Sequence, residues 1–152
     1  MQTKEALMKL REFEKELNNT PMGTNKFHQI SAANDAFMFA HIFPRDFFFI
    51  ALHLGHQITD EETAELIAAS YNGTDITEVL NLSPDDKTLL KFKIARRKSG
   101  LTQQQVANKT ANFSQSQIAK VESGKLRITM TRWAELFNVL GEAPLIQLKL
   151  VK

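Results

Sequence analysis

The run Ser114-Gln115-Ser116-Gln117-Ile118-Ala119-Lys120 holds the side chains whose types and spacing best suit recognition chemistry. Read as a helix, it turns Ile118 and Val121 towards a core and leaves Gln115, Ser116, Ala119 and Lys120 outward. Such a face, short or amide side chains plus one cation, can enter a groove. A glutamine amide matches an adenine edge bidentately, a serine hydroxyl reaches either kind of base, and a lysine suits guanine or phosphate. Gln115, Ser116 and Gln117 are therefore expected to contact bases or sit beside them, with Lys120 at the edge of the groove. Other chemistries lack a comparable set. The chain has no cysteine, so a thiolate zinc site, a disulfide framework and a cysteine nucleophile are excluded. His53 and His56 would share one helix face near His41, but no HExxH or paired-carboxylate spacing accompanies them, so no metal is expected. No nucleophile–base–orienter set and no Gly-rich phosphate loop is evident, so neither an enzyme nor a cofactor is expected.

Two short helices must position that face. Thr102 with Gln105, and Ser114 with Gln117, each make a capping box, in which a hydroxyl and an amide three residues on satisfy each other's backbone N–H. Leu101, Val106 and Ala107 can face a core from the first helix.

The stretch resembles the helix-turn-helix of the Cro/C1-type (XRE-family) DNA-binding proteins, from about Phe92 to Gly141. The family's helix-1 arginine, Gly-Leu-Thr/Ser-Gln and alanine stand here as Arg96, Gly100-Leu101-Thr102-Gln103 and Ala107. Its second run stands as Ser114-Gln115-Ser116, Ile118 and Glu122-Ser123-Gly124. One departure is plain. The family's Leu-Gly-Val turn is replaced by Thr110-Ala111-Asn112-Phe113, one residue longer and without glycine. Asn112, which tolerates a left-handed backbone better than most residues, is assigned the turning role. The resemblance implies that Arg96 and Glu122 form a structural ion pair. It also implies that Lys125, Arg127 and Arg132 meet phosphates, and Thr102, Gln103 and Ser114 are assigned to the DNA backbone with them. Trp133 is expected to plug the core.

Charge divides the chain in two. Residues 1–82 carry 6 Lys+Arg against 12 Asp+Glu, a net −6, whereas residues 83–152 carry 13 against 5, a net +8. A basic half beside an acidic one suggests a nucleic-acid module joined to something that avoids nucleic acid. The apolar fraction of 43% is that of a globular protein. The greasiest window, Ala36 to Leu54, has Pro44-Arg45-Asp46 at its middle, which argues against a membrane span. No signal peptide is evident after Met1, and the absence of cysteine suits a reducing cytoplasm.

The remaining elements follow from period and punctuation. Ala6, Leu10, Phe13 and Leu17 predict a helix from Thr3 to about Asn18. Eight of the eleven phenylalanines precede residue 50. A helix from about Ser31 to His41, a break at Pro44 and a helix from Asp46 to Leu54 are expected, with Phe47-Phe48-Phe49-Ile50 as a buried strand in the alternative. Thr59-Asp60-Glu61-Glu62 caps a helix running to about Ser70, and Asp75 with Glu78 a short one. Ser83-Pro84 opens a helix to Lys98. Met130, Trp133, Leu136, Phe137 and Leu140 predict the stripe of a last helix. In 145–151 the period changes to two, which predicts a strand.

The fold class expected is mostly α: an acidic, Phe-rich helical domain over 1–82, then a five-helix-type Cro/C1-like helix-turn-helix domain over 83–152 with a short C-terminal β-strand. Leu145, Ile146, Leu148 and Leu150 are expected to pair with their copies in a homodimer. The function expected is sequence-specific binding of double-stranded DNA, as a repressor on an inverted-repeat operator, without membrane attachment. The alternative is an antitoxin-type protein whose N-terminal domain binds a partner protein while the C-terminal domain represses its own operon.

Overall fold

A computed structural model describes residues 1–141. The chain divides into two compact units, Met1–Ser83 and Pro84–Lys152. The first holds α1 (Thr3–Asn18), α2 (Asn25–Met38), α3 (Pro44–His53), α4 (Asp60–Tyr71) and a single 3-10 turn, Ile76–Glu78. The second holds α5 (Pro84–Ser99), α6 (Gln103–Lys109), α7 (Gln115–Glu122) and α8 (Met130–Val139). No strand occurs among the described residues, and the expected strand at 145–151 lies outside them.

In the first unit α1 packs on α4 because both present small residues where they meet. Ala6, Ala64 and Ala68 are buried together with Ile67 and the ring of Phe37, and Leu7, Leu10, Phe13 and Tyr71 close over them. The phenol of Tyr71 donates to the Phe37 carbonyl (2.8 Å), which ties α4 to the end of α2. The start of α4 is fixed by its capping box: Glu62 N–H donates to the Thr59 hydroxyl (3.1 Å), and Thr59 N–H to the Glu62 carboxylate (3.0 Å).

Two expected elements shift. α2 begins at Asn25 rather than Ser31, because the Thr24 hydroxyl accepts from Phe27 N–H (3.2 Å) and caps the helix early. Pro44 starts α3 as its first residue instead of breaking the chain before Asp46, since a first-turn N–H has no intrahelical partner to lose. The Phe47–Ile50 run is helical, not extended, with Phe47 and Ile50 buried on one side and Phe48 exposed on another.

In the second unit the core combines aromatic side chains from α5 and α8 with aliphatic ones from α6, α7 and α8. Phe92 of α5 lies 5.6 Å from Trp133 and 5.7 Å from Phe137 of α8, centroid to centroid. Val106 of α6, Ile118 and Val121 of α7 and Leu136 of α8 are buried within the same unit. Full burial of each such side chain is worth about 1.5–3 kcal/mol, which outweighs the weak helix propensity of elements as short as α6 and α7. Met130 departs from the expected stripe. It opens α8 and stays 38% exposed, beyond the reach of the core, while Leu140 is half-buried.

Candidate nucleic-acid interface

Both short helices start on reciprocal caps. The Thr102 hydroxyl accepts from Gln105 N–H (3.1 Å) while the Gln105 amide oxygen accepts from Thr102 N–H (2.9 Å). Ser114 and Gln117 repeat the arrangement at 3.1 and 2.9 Å. The cap at α7 has a price in chemistry, because one lone pair of the Gln117 carbonyl oxygen is committed to it, leaving the other lone pair and the NH2 group for a partner.

The connection between the helices is not made as expected. Every positive φ among the described residues belongs to glycine, so Asn112 takes no left-handed turn. Thr110 leaves α6 in an extended conformation (φ −104°, ψ 155°). Asn112 is held from α8 instead. Its Nδ2 donates to both carboxylate oxygens of Glu135 (3.1 and 3.2 Å), and its carbonyl accepts from Arg132 Nη2 (3.1 Å).

A polar relay crosses the unit behind α6 and α7. Arg96 of α5 donates through Nε and Nη2 to the two carboxylate oxygens of Glu122, the latter at 2.8 Å, and through Nη1 to the Leu101 carbonyl (3.0 Å). The Glu122 side chain is only 7% exposed and the Arg96 side chain 23%. Gln103 Nε2 donates to Glu122 Oε1 (3.3 Å), and Gln115 Nε2 donates to Gln103 Oε1 (2.9 Å). One ion pair thus orders the first side chain of α6 and, through it, the first side chain of α7.

Residues 92–146 match the helix-turn-helix family model. The C-terminal half therefore carries a Cro/C1-type (XRE-family) helix-turn-helix, a DNA-binding module of transcriptional regulators. No curated protein and no solved structure matches the chain.

Within the helix-turn-helix, α6 is the first helix and α7 the recognition helix. Gln115, Ser116 and Lys120 are exposed on α7, while Gln117 and Ala119 are half-buried. Thr102 and Ser114 sit at the caps and Gln103 is half-buried in the relay. Lys125 and Arg127 follow Gly124 on the exposed surface, Arg127 lying 3.5 Å from Asp85 with both side chains well exposed. Arg132 is drawn inward: its guanidinium covers the Phe113 ring at 4.1 Å from the centroid. Leu145, Ile146, Leu148 and Leu150 lie outside the described residues.

Two contributors escaped the sequence reading, the Gln103–Gln115 hydrogen bond and Glu135. The first joins residues twelve apart, each at the first position of a capped helix, and that shared position was the available signal. For Glu135 the signal was weaker: it stands three residues after Arg132 on one face of α8. The histidines are engaged elsewhere. His53 Nδ1–H donates to the Phe49 carbonyl (2.7 Å), and His56 Nε2 lies 2.9 Å from the Glu62 carboxylate. No group of three or more metal-ligating side chains occurs among the described residues, and none of their helices is long and apolar enough to cross a membrane.

Proposed function

We propose that the chain is a sequence-specific repressor that binds double-stranded DNA as a homodimer on an inverted-repeat operator. The observation that carries the reading is the relay Arg96–Glu122–Gln103–Gln115, which orders a base-reading amide before DNA arrives. With one N–H given to Gln103, Gln115 keeps a second N–H and its carbonyl oxygen, the donor and acceptor that an adenine edge requires. Ser116 and the free NH2 group of Gln117 stand beside it, with Lys120 at the groove edge. Thr102, Gln103, Ser114, Lys125 and Arg127 approach phosphates, which position the module without reading sequence. The net +8 of residues 83–152 supplies the long-range attraction. Selection of bound duplexes from a random pool by the full chain, at near-physiological salt, tests the reading. An inverted repeat with half-sites about one helical turn apart, ~34 Å, is expected. Salt-sensitive binding that enriches no sequence would leave a non-specific DNA binder and end the repressor reading.

A second reading concerns the first unit. Phe48 and Leu52, four residues apart on α3, are 54% and 80% exposed in a unit of net charge −6. Large apolar side chains held in solvent on an acidic unit support a partner-protein site there, as in antitoxins that also repress their own operon. Co-purification with a second small protein, lost on Phe48→Ser with Leu52→Ser, is the expected result. Co-purification unchanged by that pair of substitutions would remove α3 as the site.

A further inference from the structure

The connection between α6 and α7 has no glycine and no residue of positive φ, so no left-handed turn sets its path. Its first residue is tied locally, Thr110 N–H and the Thr110 hydroxyl both reaching the Ala107 carbonyl (3.2 and 3.1 Å), with the Phe113 carbonyl a longer 3.5 Å from the same hydroxyl. Its later residues are held from α8. Arg132 donates to the Asn112 carbonyl (3.1 Å) and covers the ring of Phe113, and Glu135 accepts from Asn112 Nδ2 at 3.1 and 3.2 Å. Both hydrogen bonds have an ionised partner, which makes them stronger than neutral ones. Phe113 is 6% exposed and stands immediately before Ser114, the cap of α7. Whatever fixes Asn112 and Phe113 fixes the entry of the recognition helix.

We propose that Arg132 and Glu135 are positioning residues for DNA recognition: through Asn112 and Phe113 they set the angle at which α7 presents Gln115 and Ser116. The inference rests on the DNA-binding reading above. It assigns Arg132 a role different from the phosphate contact that its place in the helix-turn-helix implies. The two roles differ most sharply at Glu135. Removing a carboxylate from a module that meets a polyanion strengthens binding to every duplex if electrostatics alone operates. If Glu135 holds the connection, the same change weakens binding to the operator selectively.

The test uses the full chain, an operator selected by the wild-type protein and a random-sequence duplex of equal length. Thermal unfolding of each variant is followed in parallel, and binding is measured well below its midpoint. Glu135→Ala is expected to lose about tenfold of the operator-to-random preference, roughly the worth of one good base contact, while binding the random duplex as tightly or more so. Glu135→Gln keeps an acceptor for Asn112 Nδ2 and should retain most of the preference. Asn112→Ala should reproduce Glu135→Ala, and the double variant should be no worse than either alone, as expected for two ends of one interaction. Arg132→Ala should lose preference with an unchanged salt slope. Wild-type preference in Glu135→Ala overturns the proposal. So does an Arg132→Ala that loses affinity equally on both duplexes with a slope shallower by about one, the signature of a phosphate contact. A wild-type protein that prefers no duplex sinks the DNA reading itself, and that outcome is seen before any substitution is made.

Discussion

Gln115 donates to Gln103 across 2.9 Å and so joins the first residue of the recognition helix to the first residue of the helix before it. The bond removes rotamer freedom from the amide before any base is met, which lowers the ordering cost of recognition. Its consequence is an asymmetry between the two glutamines. Gln115→Ala should relax preference at a particular base pair by ~1–3 kcal/mol and leave binding to random duplex largely intact. Gln103→Ala, which unties the reading amide and removes a phosphate contact, should produce a smaller loss at the same base pair together with an equal loss on every duplex. Position-by-position selection profiles of the two variants check this, and uniform loss across all sequences would make Gln115 a backbone contact.

Arg96 and Glu122 carry the relay, and they predict a stability effect as well. Arg96→Met would leave a carboxylate that is 7% exposed without its guanidinium. Removing one partner of a buried pair costs about 3–5 kcal/mol, and the 23% exposure of Arg96 places this case near the lower end. Adding Glu122→Leu should recover much of that loss, since the stranded charge goes with it. Urea unfolding of the three proteins decides. A single variant that loses less than about 1 kcal/mol would class the pair with ordinary surface bridges.

How far the sequence could be read depends on the range of the interaction concerned. The stripe of α1 and the capping boxes at Thr59, Thr102 and Ser114 are local patterns, and all of them form. The start of α2 was hidden because Thr24 has no glutamate or glutamine three residues on to complete a box; Phe27 stands there instead. Asn112 was misread for a different reason. Its intrinsic tolerance of a left-handed backbone is a local property, whereas in the fold it is hydrogen-bonded to Arg132 and Glu135, 20 and 23 residues away. The Arg96–Glu122 pair spans 26 residues and was anticipated only through the resemblance, never through spacing. Met130 obeyed the stripe in period but not in position, since the first turn of α8 runs past the core.

Acid should loosen the start of α4. The Glu62 carboxyl titrates below its ordinary value of 4.5, chiefly because Thr59 N–H donates to it, and secondarily because His56 does. A carboxyl whose folded pKa is depressed stabilises the fold fully above its unfolded value and loses that contribution as pH falls through the folded one. The expected loss therefore begins near pH 4.5 and continues below it. Glu62→Gln keeps a cap but does not titrate, so its acid unfolding should lack that component. Thermal midpoints of both proteins between about pH 3 and 6 test this, and parallel curves would remove Glu62 from the account.

Lys125 offers the cleanest electrostatic readout, being exposed just beyond the recognition helix. If it neutralises one phosphate, Lys125→Ala should make the plot of log affinity against log salt shallower by about 0.9. The loss should be the same on operator and random duplex, since phosphates carry no sequence information. A loss confined to the operator would instead make Lys125 a base reader.

The last prediction concerns residues 145–151, whose alternation of Ile146, Leu148 and Leu150 with Leu145, Gln147, Lys149 and Val151 suits an extended strand. A strand needs a partner for its backbone groups, and no strand among the described residues can supply one. Pairing with the same residues of a second copy meets the need and is isologous, as two-fold symmetry requires. The arrangement also has a use. One recognition helix touches few base pairs, whereas two on a fixed dyad read half-sites about one turn, ~34 Å, apart, so affinity for a palindrome rises with dimerisation. Deleting residues 144–152 should therefore yield a monomer by light scattering at micromolar concentration. It should also weaken binding to the full palindrome far more than to a single half-site. The competing arrangement folds the strand onto its own chain and puts the dimer contact elsewhere. A truncated protein that remains dimeric and still favours palindromes would establish that arrangement in place of the paired tails.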